Sequence, residues 1–425
     1  MAERIFYARE ACLNSLVRFE KEKKYSNIEL NNCIEKYNLS ELDRKFFTKL
    51  FYGVIEKKLT LDFYIGNLSE KKNKDPFVVN ILRLGLYQIL YMDKIPESAV
   101  CDESVKLAKN LKNIKAAGYI NAVLRNFLRK REELEDKLNK LNDLEIKYSC
   151  SSDIIRIWTE SYGKQTAEKI LEASAKKQGF TITVNSLKIS RDEYAEHIDA
   201  EYKKINGYGV NILEDLPVKN LYGYHEGLFF VQDEASQICA EKTDAAPGDL
   251  IVDCCAAPGG KSFFMAQMMQ NKGKIICLDI HKNKLKLINN SAKNLGIDII
   301  ETYECDAALK LEKLEKSANA VLCDVPCSGL GVIGKKPEIK YKTLNEISRL
   351  PDLQYKILST CANYVKPGGV LIYSTCTLNK KENEEITEKF LDTNKCFEQT
   401  YSHTFFPFER NIDGFFLAKM KRTGI

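Results

Sequence analysis

Two cysteines stand apart from the rest of this chain by their settings. Cys327 lies in Asp324-Val325-Pro326-Cys327-Ser328-Gly329 and Cys376 in Ser374-Thr375-Cys376-Thr377, each just after an apolar run that reads as a strand. Most cysteines are small buried hydrophobes. Two that leave strand ends beside Asp324 instead form a set able to do covalent chemistry, because a thiolate is a strong nucleophile. Added at C6 of a cytosine, it would turn the ring into an enamine whose C5, otherwise a poor nucleophile, can attack a methyl donor. Asp324 is placed to protonate or hydrogen-bond the N3 edge of such a ring. Loss of the C5 proton would then let the enzyme thiolate leave.

A second cluster precedes these. The segment Asp253-Cys254-Cys255-Ala256-Ala257-Pro258-Gly259-Gly260-Lys261-Ser262 follows another apolar run. Small residues and glycines after a strand let backbone approach a ligand closely, and the next helix offers unpaired N–H groups there. The segment is neither G-x-G-x-x-G nor G-x-x-x-x-G-K-[ST], which argues against pyrophosphate and triphosphate. A cofactor recognised by carboxylate, amine and sulfonium fits it, and S-adenosylmethionine has those groups. Asp279, about twenty residues on, can hold both ribose hydroxyls or cap the helix starting at His281; following the glycine turn, ribose binding is favoured. Asp306, in Cys305-Asp306-Ala307, is placed to meet an adenine edge with its carboxylate or a neighbouring N–H.

These side chains need strands to carry them. Leu250 to Cys254, Lys274 to Asp279, Ile299 to Glu304, Ala320 to Asp324 and Val370 to Ser374 alternate with helical patterns, predicting an α/β doubly wound, Rossmann-like domain over residues 241–425. Ligands of such sheets bind at the C-terminal strand ends, where all the residues named above fall. Residues 1–140 read as an all-α bundle. Ile5, Ala8, Cys12, Leu16 and Phe19 share one helical face, and Asp75-Pro76 starts a helix with Val78, Ile81, Leu82, Gly85 and Ile89 inward. Between them, residues 145–240 predict a small α+β module: a helix near Ile154 to Ala173, a strand at Thr181 to Asn185, a helix near Arg191 to His197, and strands at Val210 to Leu213 and Leu228 to Val231.

Composition narrows the classes. A 425-residue chain with 44% hydrophobic residues is a multidomain globular protein. Its net charge of +5, from 64 Lys+Arg against 59 Asp+Glu, barely favours an anionic partner, so a nucleic-acid case must rest on local patches. Lys106, Lys109, Lys112, Lys115, Arg125, Arg129, Lys130 and Arg131 form one such patch. Alone it reads as a solvated helix face, though its lysine ridge could neutralise phosphates. Fourteen cysteines without a C-x-x-C pair, and only four histidines, predict reduced thiols and no metal site. The N-terminus MAERIFYARE has no apolar signal region, so a cytoplasmic monomer away from membranes is expected.

The segments 253–261, 324–329 and 374–377 together resemble the motif set of the NOL1/NOP2/Sun RNA cytosine-C5 methyltransferases. The resemblance implies that Cys376 is the nucleophile, that Cys327 assists product release, and that Asp324 acts beside them. It implies cofactor contacts from Cys255, Ala256, Ala257, Pro258, Gly259, Gly260, Lys261, Asp279, Asp306 and Asp324. In DNA cytosine methyltransferases the Pro-Cys cysteine attacks, so the second cysteine points to the RNA family. Gln232-Asp233-Glu234-Ala235-Ser236 and Asp413-Gly414-Phe415-Phe416 match flanking motifs. The first 140 residues resemble the helical NusB-type RNA-binding domain, a fusion that implies 16S rRNA as substrate. Cytosine-C5 methylation of tRNA, and a non-catalytic RNA-binding scaffold, are the alternatives. Two positions depart from the pattern: Thr183 and Gly334 stand where relatives commonly carry arginine, which bears on RNA-backbone contacts.

Overall fold

The computed structural model describes residues 2–22, 26–69, 73–111, 114–176, 179–214, 216–410 and 412–424. Side chains of residues 2–6 and 114 are also outside the described set, so Ile5 of the expected inward face and Lys112 of the basic ridge lie outside the described residues. The chain forms two compact units: Met1–Arg156 with Lys335–Lys342, and Ile157–Gly334 with Thr343–Ile425.

The first unit is helical from Ala2–Glu22 through Leu144–Tyr148. The helix Pro76–Tyr91 begins as its sequence dictates, with Asp75 accepting a hydrogen bond from Phe77 N and Pro76 in the first turn. Val78, Ile81, Leu82, Gly85 and Ile89 are all buried there, beside Ala8, Cys12 and Leu16. Segment 335–342, far away in sequence, completes this unit. The Tyr341 hydroxyl donates to Ile55 O at 2.6 Å and lies 2.9 Å from Ser149 Oγ, while Ser26 Oγ donates to Glu338 at 2.8 Å. On the basic ridge, Lys106 pairs with Glu103, and Arg131 with Glu97 and Glu135. Lys109, Lys115, Arg125, Arg129 and Lys130 are exposed.

The second unit contains two sheets. In the smaller, β1 (Phe180–Val184), β2 (Tyr202–Lys204), β3 (Gly209–Ile212) and β4 (Phe229–Val231) pair antiparallel in the order β2-β3-β1-β4. Strand β2 was not foreseen: it is three residues long and polar. The single helix expected near Ile154 to Ala173 is two, Ser152–Tyr162 and Lys164–Ala175, because Gly163 between them takes φ +83°. Only a glycine adopts that conformation at little cost.

The larger sheet holds β5 (Leu250–Asp253), β6 (Lys274–Asp279), β7 (Ile300–Glu304), β8 (Ala318–Asp324), β9 (Val365–Thr375), β10 (Phe397–Phe405) and β11 (Phe415–Arg422), in the order β10-β11-β9-β8-β5-β6-β7. Strands β5 to β9 are the five expected parallel ones. Two antiparallel strands, β10 and β11, extend the sheet beyond β9 and make it mixed. Apolar clusters cover both faces, one containing Phe263, Phe264, Ile288 and Leu417, the other Leu358, Tyr364, Phe390 and Phe416. No described helix is long and apolar enough to cross a membrane, and among the described residues every cysteine is free of disulfides.

Candidate active site

Parallel pairing gathers the predicted residues at one sheet edge. Asp324 of β8 lies in register with Ser374 of β9, and Asp279 of β6 with Glu304 of β7. The loops that follow β8 and β9 therefore leave the sheet side by side, and Cys327 Sγ comes 3.3 Å from Cys376 Sγ across 49 residues of sequence. The Cys327 thiol is held well above its ordinary value, first by its hydrogen bond to Cys376, then by burial and the charge a Cys376 thiolate would carry. Cys327 thus keeps its proton and can donate it toward Cys376.

A close backbone contact seats the Cys376 loop. Gly331 N donates to Cys376 O at 3.0 Å, and Gly414 N donates to Gly331 O at 2.9 Å. A Cβ on Gly331 would stand 1.8 Å from Gly414 O, so a side chain is excluded there. This contact gives the Asp413-Gly414-Phe415-Phe416 segment a physical role: it brings the start of β11 beneath the cysteine loops.

Asp324 connects the cysteines to the glycine turn. Its Oδ2 accepts from Lys261 Nζ at 2.7 Å and its Oδ1 from Ser374 Oγ at 2.8 Å. Burial alone would lower the Lys261 pKa, but the Asp324 carboxylate overrides it and raises the value, so the lysine stays charged.

The turn from Cys255 to Lys261 links β5 to the helix Gly260–Met268, whose N-cap Gly259 has φ +106° and contributes no side-chain cap. The first N–H groups of that helix are therefore available to a ligand. Beside them Gln232 is 6% exposed and its Nε2 has no partner, 3.6 Å from where a Cβ on Gly260 would stand. A buried donor without an acceptor, next to a helix N-terminus, fits the carboxylate of S-adenosylmethionine. Thr183 Oγ1 donates to Gln232 Oε1 at 2.8 Å and thereby orients the amide. Thr183 is fully buried, so this departure from the arginine pattern lies inside the fold, whereas Gly334 is exposed. Asp279 Oδ1 accepts from His281 N at 2.8 Å, closing a turn just ahead of the helix Lys282–Leu295, whose N-cap His281 has no side-chain cap, and Asp306 Oδ1 accepts from Ala308 N at 2.9 Å. Asp279 ends β6, the neighbour of β5, and Asp306 lies two residues past the end of β7, one strand further out, on the same C-terminal edge of the sheet where such folds hold a nucleoside.

Glu382, Gln354 and the roles of Ser374 and Gln232 were not visible in the sequence. Glu382 sits in Lys-Lys-Glu-Asn-Glu-Glu, which reads as a solvated charge run, yet it is completely buried between the cysteine loops.

Three family models match in succession: "NusB family" over residues 7–129, "Methyltr_RsmF/B-like, ferredoxin-like domain" over 153–212, and "16S rRNA methyltransferase RsmB/F" over 242–421. The chain is 34% identical to the probable ribosomal RNA small subunit methyltransferase B of Bacillus subtilis, covering 98% of this chain and 99% of that protein. It is 30% identical to the ribosomal RNA small subunit methyltransferase B of Vibrio vulnificus, over 88% and 90% respectively. The crystal structure of PH0851 superposes with a TM-score of 0.81 at 26% identity, over 98% of this chain and 99% of the other. The fold together with these matches makes the chain an S-adenosylmethionine-dependent methyltransferase of the rRNA class. The chain belongs to the 16S rRNA methyltransferase RsmB/F family.

Two measurements follow from this geometry. Gln232→Leu, which removes the unpaired amide, is expected to raise the Kd for S-adenosylmethionine about tenfold, read by calorimetric titration. Asp253, 1% exposed, accepts from Ser262 Oγ at 2.6 Å, and burial pushes its carboxyl up to about 7. The unfolded chain ionises this group at about pH 4, so between there and neutrality the folded state holds the extra proton. Stability therefore falls as pH rises through that window. Asp253→Asn should remove this fall, so the difference in Tm between variant and wild type should grow from about pH 5 to about pH 8.

Proposed function

We propose that this enzyme transfers a methyl group from S-adenosylmethionine to C5 of a cytosine in 16S rRNA through a covalent bond between Cys376 and C6. The observation that carries the reading is the cysteine pair, 3.3 Å apart and next to an aspartate held by Lys261 and Ser374. The cofactor, when bound, supplies an electrophilic methyl group. Cys376, as thiolate, adds to C6 and makes C5 nucleophilic. As the thiolate adds, N3 becomes more basic and takes a proton from solvent, and the Asp324 carboxylate would accept a hydrogen bond from that N–H. After methyl transfer, loss of the C5 proton to solvent restores the C5–C6 double bond as the C6–S bond breaks, and Cys327, which keeps its proton, donates a hydrogen bond to the Cys376 sulfur and so stabilises the leaving thiolate. Cys255 to Lys261, Asp279, Asp306 and Asp324 would hold the cofactor.

The target cytosine must leave any helical stack to reach a sheet edge. The exposed Lys109, Lys115, Arg125, Arg129 and Lys130 of the helical unit serve as a phosphate-binding ridge for the surrounding RNA. Supply of 16S rRNA rather than tRNA is supported by the names of the relatives and by the NusB match.

Labelled methyl groups offered with unmodified small-subunit rRNA and with bulk tRNA test this directly. Label in 5-methylcytidine from rRNA is expected; label confined to tRNA would move the substrate, and none in either would restore the scaffold reading. Cys376→Ala should lower turnover by at least about 1000-fold, and normal turnover by that variant would remove it as nucleophile. With Cys327→Ala, a protein–RNA adduct stable to denaturing electrophoresis is expected, and free turnover without adduct would remove its release role.

A further inference from the structure

Glu382 has no exposed surface, and its carboxylate is ringed by donors. Ser328 N donates to Oε2 at 2.8 Å and Gln354 Nε2 to the same oxygen at 2.9 Å. Oε1 accepts from Asn379 Nδ2 at 2.9 Å and from the Ser328 hydroxyl. Gln354 Nε2 also donates to Pro326 O at 2.9 Å, so the residues on both sides of Cys327 are tied to this one carboxylate. The next residue, Asn383, does the same for Cys376: its Oδ1 accepts from Thr375 Oγ1 at 2.6 Å and its Nδ2 donates to Thr377 O at 2.9 Å.

A buried carboxylate is an expensive way to join two loops. Its desolvation offsets much of what its hydrogen bonds contribute, and a well-packed apolar side chain would hold the same space with less penalty. What the carboxylate supplies is geometric, because two oxygens accepting four donors fix direction as well as distance. Its donors come from the Cys327 loop, from the helix Leu350–Cys361, and from the turn that follows Cys376.

We propose that Glu382 is the positioning residue of the site: by binding the backbone and side chain of Ser328, and Pro326 through Gln354, it sets Cys327 against Cys376 at bonding approach. The proposal rests on the reading of these cysteines as the reacting pair, yet its geometric content can be tested without RNA or cofactor.

The test is oxidation of the full-length protein by diamide, which takes the two thiol hydrogens and becomes a hydrazine as the Cys327–Cys376 disulfide forms. Its rate is followed by mass spectrometry of the linked peptide. Glu382→Gln places an amide donor among donors and is expected to slow this cross-link about tenfold. Loss of the negative charge would by itself make the Cys327 thiol more acidic and the reaction faster, so slowing reports geometry. In turnover, the same variant should lose about 100-fold in kcat while KM for RNA and cofactor affinity stay within about twofold. Should Glu382→Gln not fold, Ser328→Ala, which keeps the charge and removes one donor, is expected to slow the cross-link about threefold. A wild-type cross-linking rate in whichever of these variants folds overturns the proposal. Slowed cross-linking in an enzyme whose product is not 5-methylcytidine upholds the positioning role and discards the catalytic reading alone.

Discussion

The contact between Asp324 and Lys261 joins the two halves of the site. Lys261 leaves the cofactor turn after β5 and Asp324 ends β8, and the side chains meet at 2.7 Å with the lysine only 13% exposed. A lysine so enclosed keeps its charge only beside an anion, and the carboxylate is held in turn by Ser374 on β9. The ends of β8 and β9 and the helix that follows β5 are thereby linked by charge and hydrogen bonding. Removing one partner would leave the other as an uncompensated charge in a half-buried cleft. The order of β9, β8 and β5 in the sheet is what makes the contact available.

Much of this was legible from residue patterns, because the signals are local. Five apolar strands with helices between them, a glycine turn after the first and cysteines after the fourth and fifth put the candidate residues at one edge from sequence pattern alone. Asp75-Pro76 likewise announces its helix with a cap and a compatible first turn. Failures came where long-range pairing decides. Strand β10, FEQTYSHTF, has a mostly exposed middle and no apolar run; it is a strand because β11 is beside it. The helix expected near Ile154 to Ala173 is broken by Gly163, whose positive φ separates two helices.

The site shows the same division. Cys327, Cys376 and Asp324 could be proposed because their types carry chemistry wherever they stand. Glu382 could not, since in a run of charged residues nothing marks the one carboxylate that turns inward. Its burial follows from donors that lie 3 to 54 residues away in sequence. Cys254, Cys323 and Cys361 are a similar case: their sulfur atoms lie within 4.8 Å of one another in the apolar core, although no spacing pattern connects them.

The membership of residues 335–342 in the helical unit has a consequence for how the protein is made. Synthesis runs from the N-terminus, and helices emerging first ordinarily fold first. Here the helical unit lacks Tyr341 and Glu338 until strands β5 to β8 have already been produced. Ile55 O and Ser149 Oγ, which Tyr341 meets in the finished protein, must wait for it. The two units therefore cannot mature strictly one after the other, and the chain crosses between them three times rather than once. A single proteolytic nick just before or within residues 335–342 would therefore leave both fragments with residues in each of the two units.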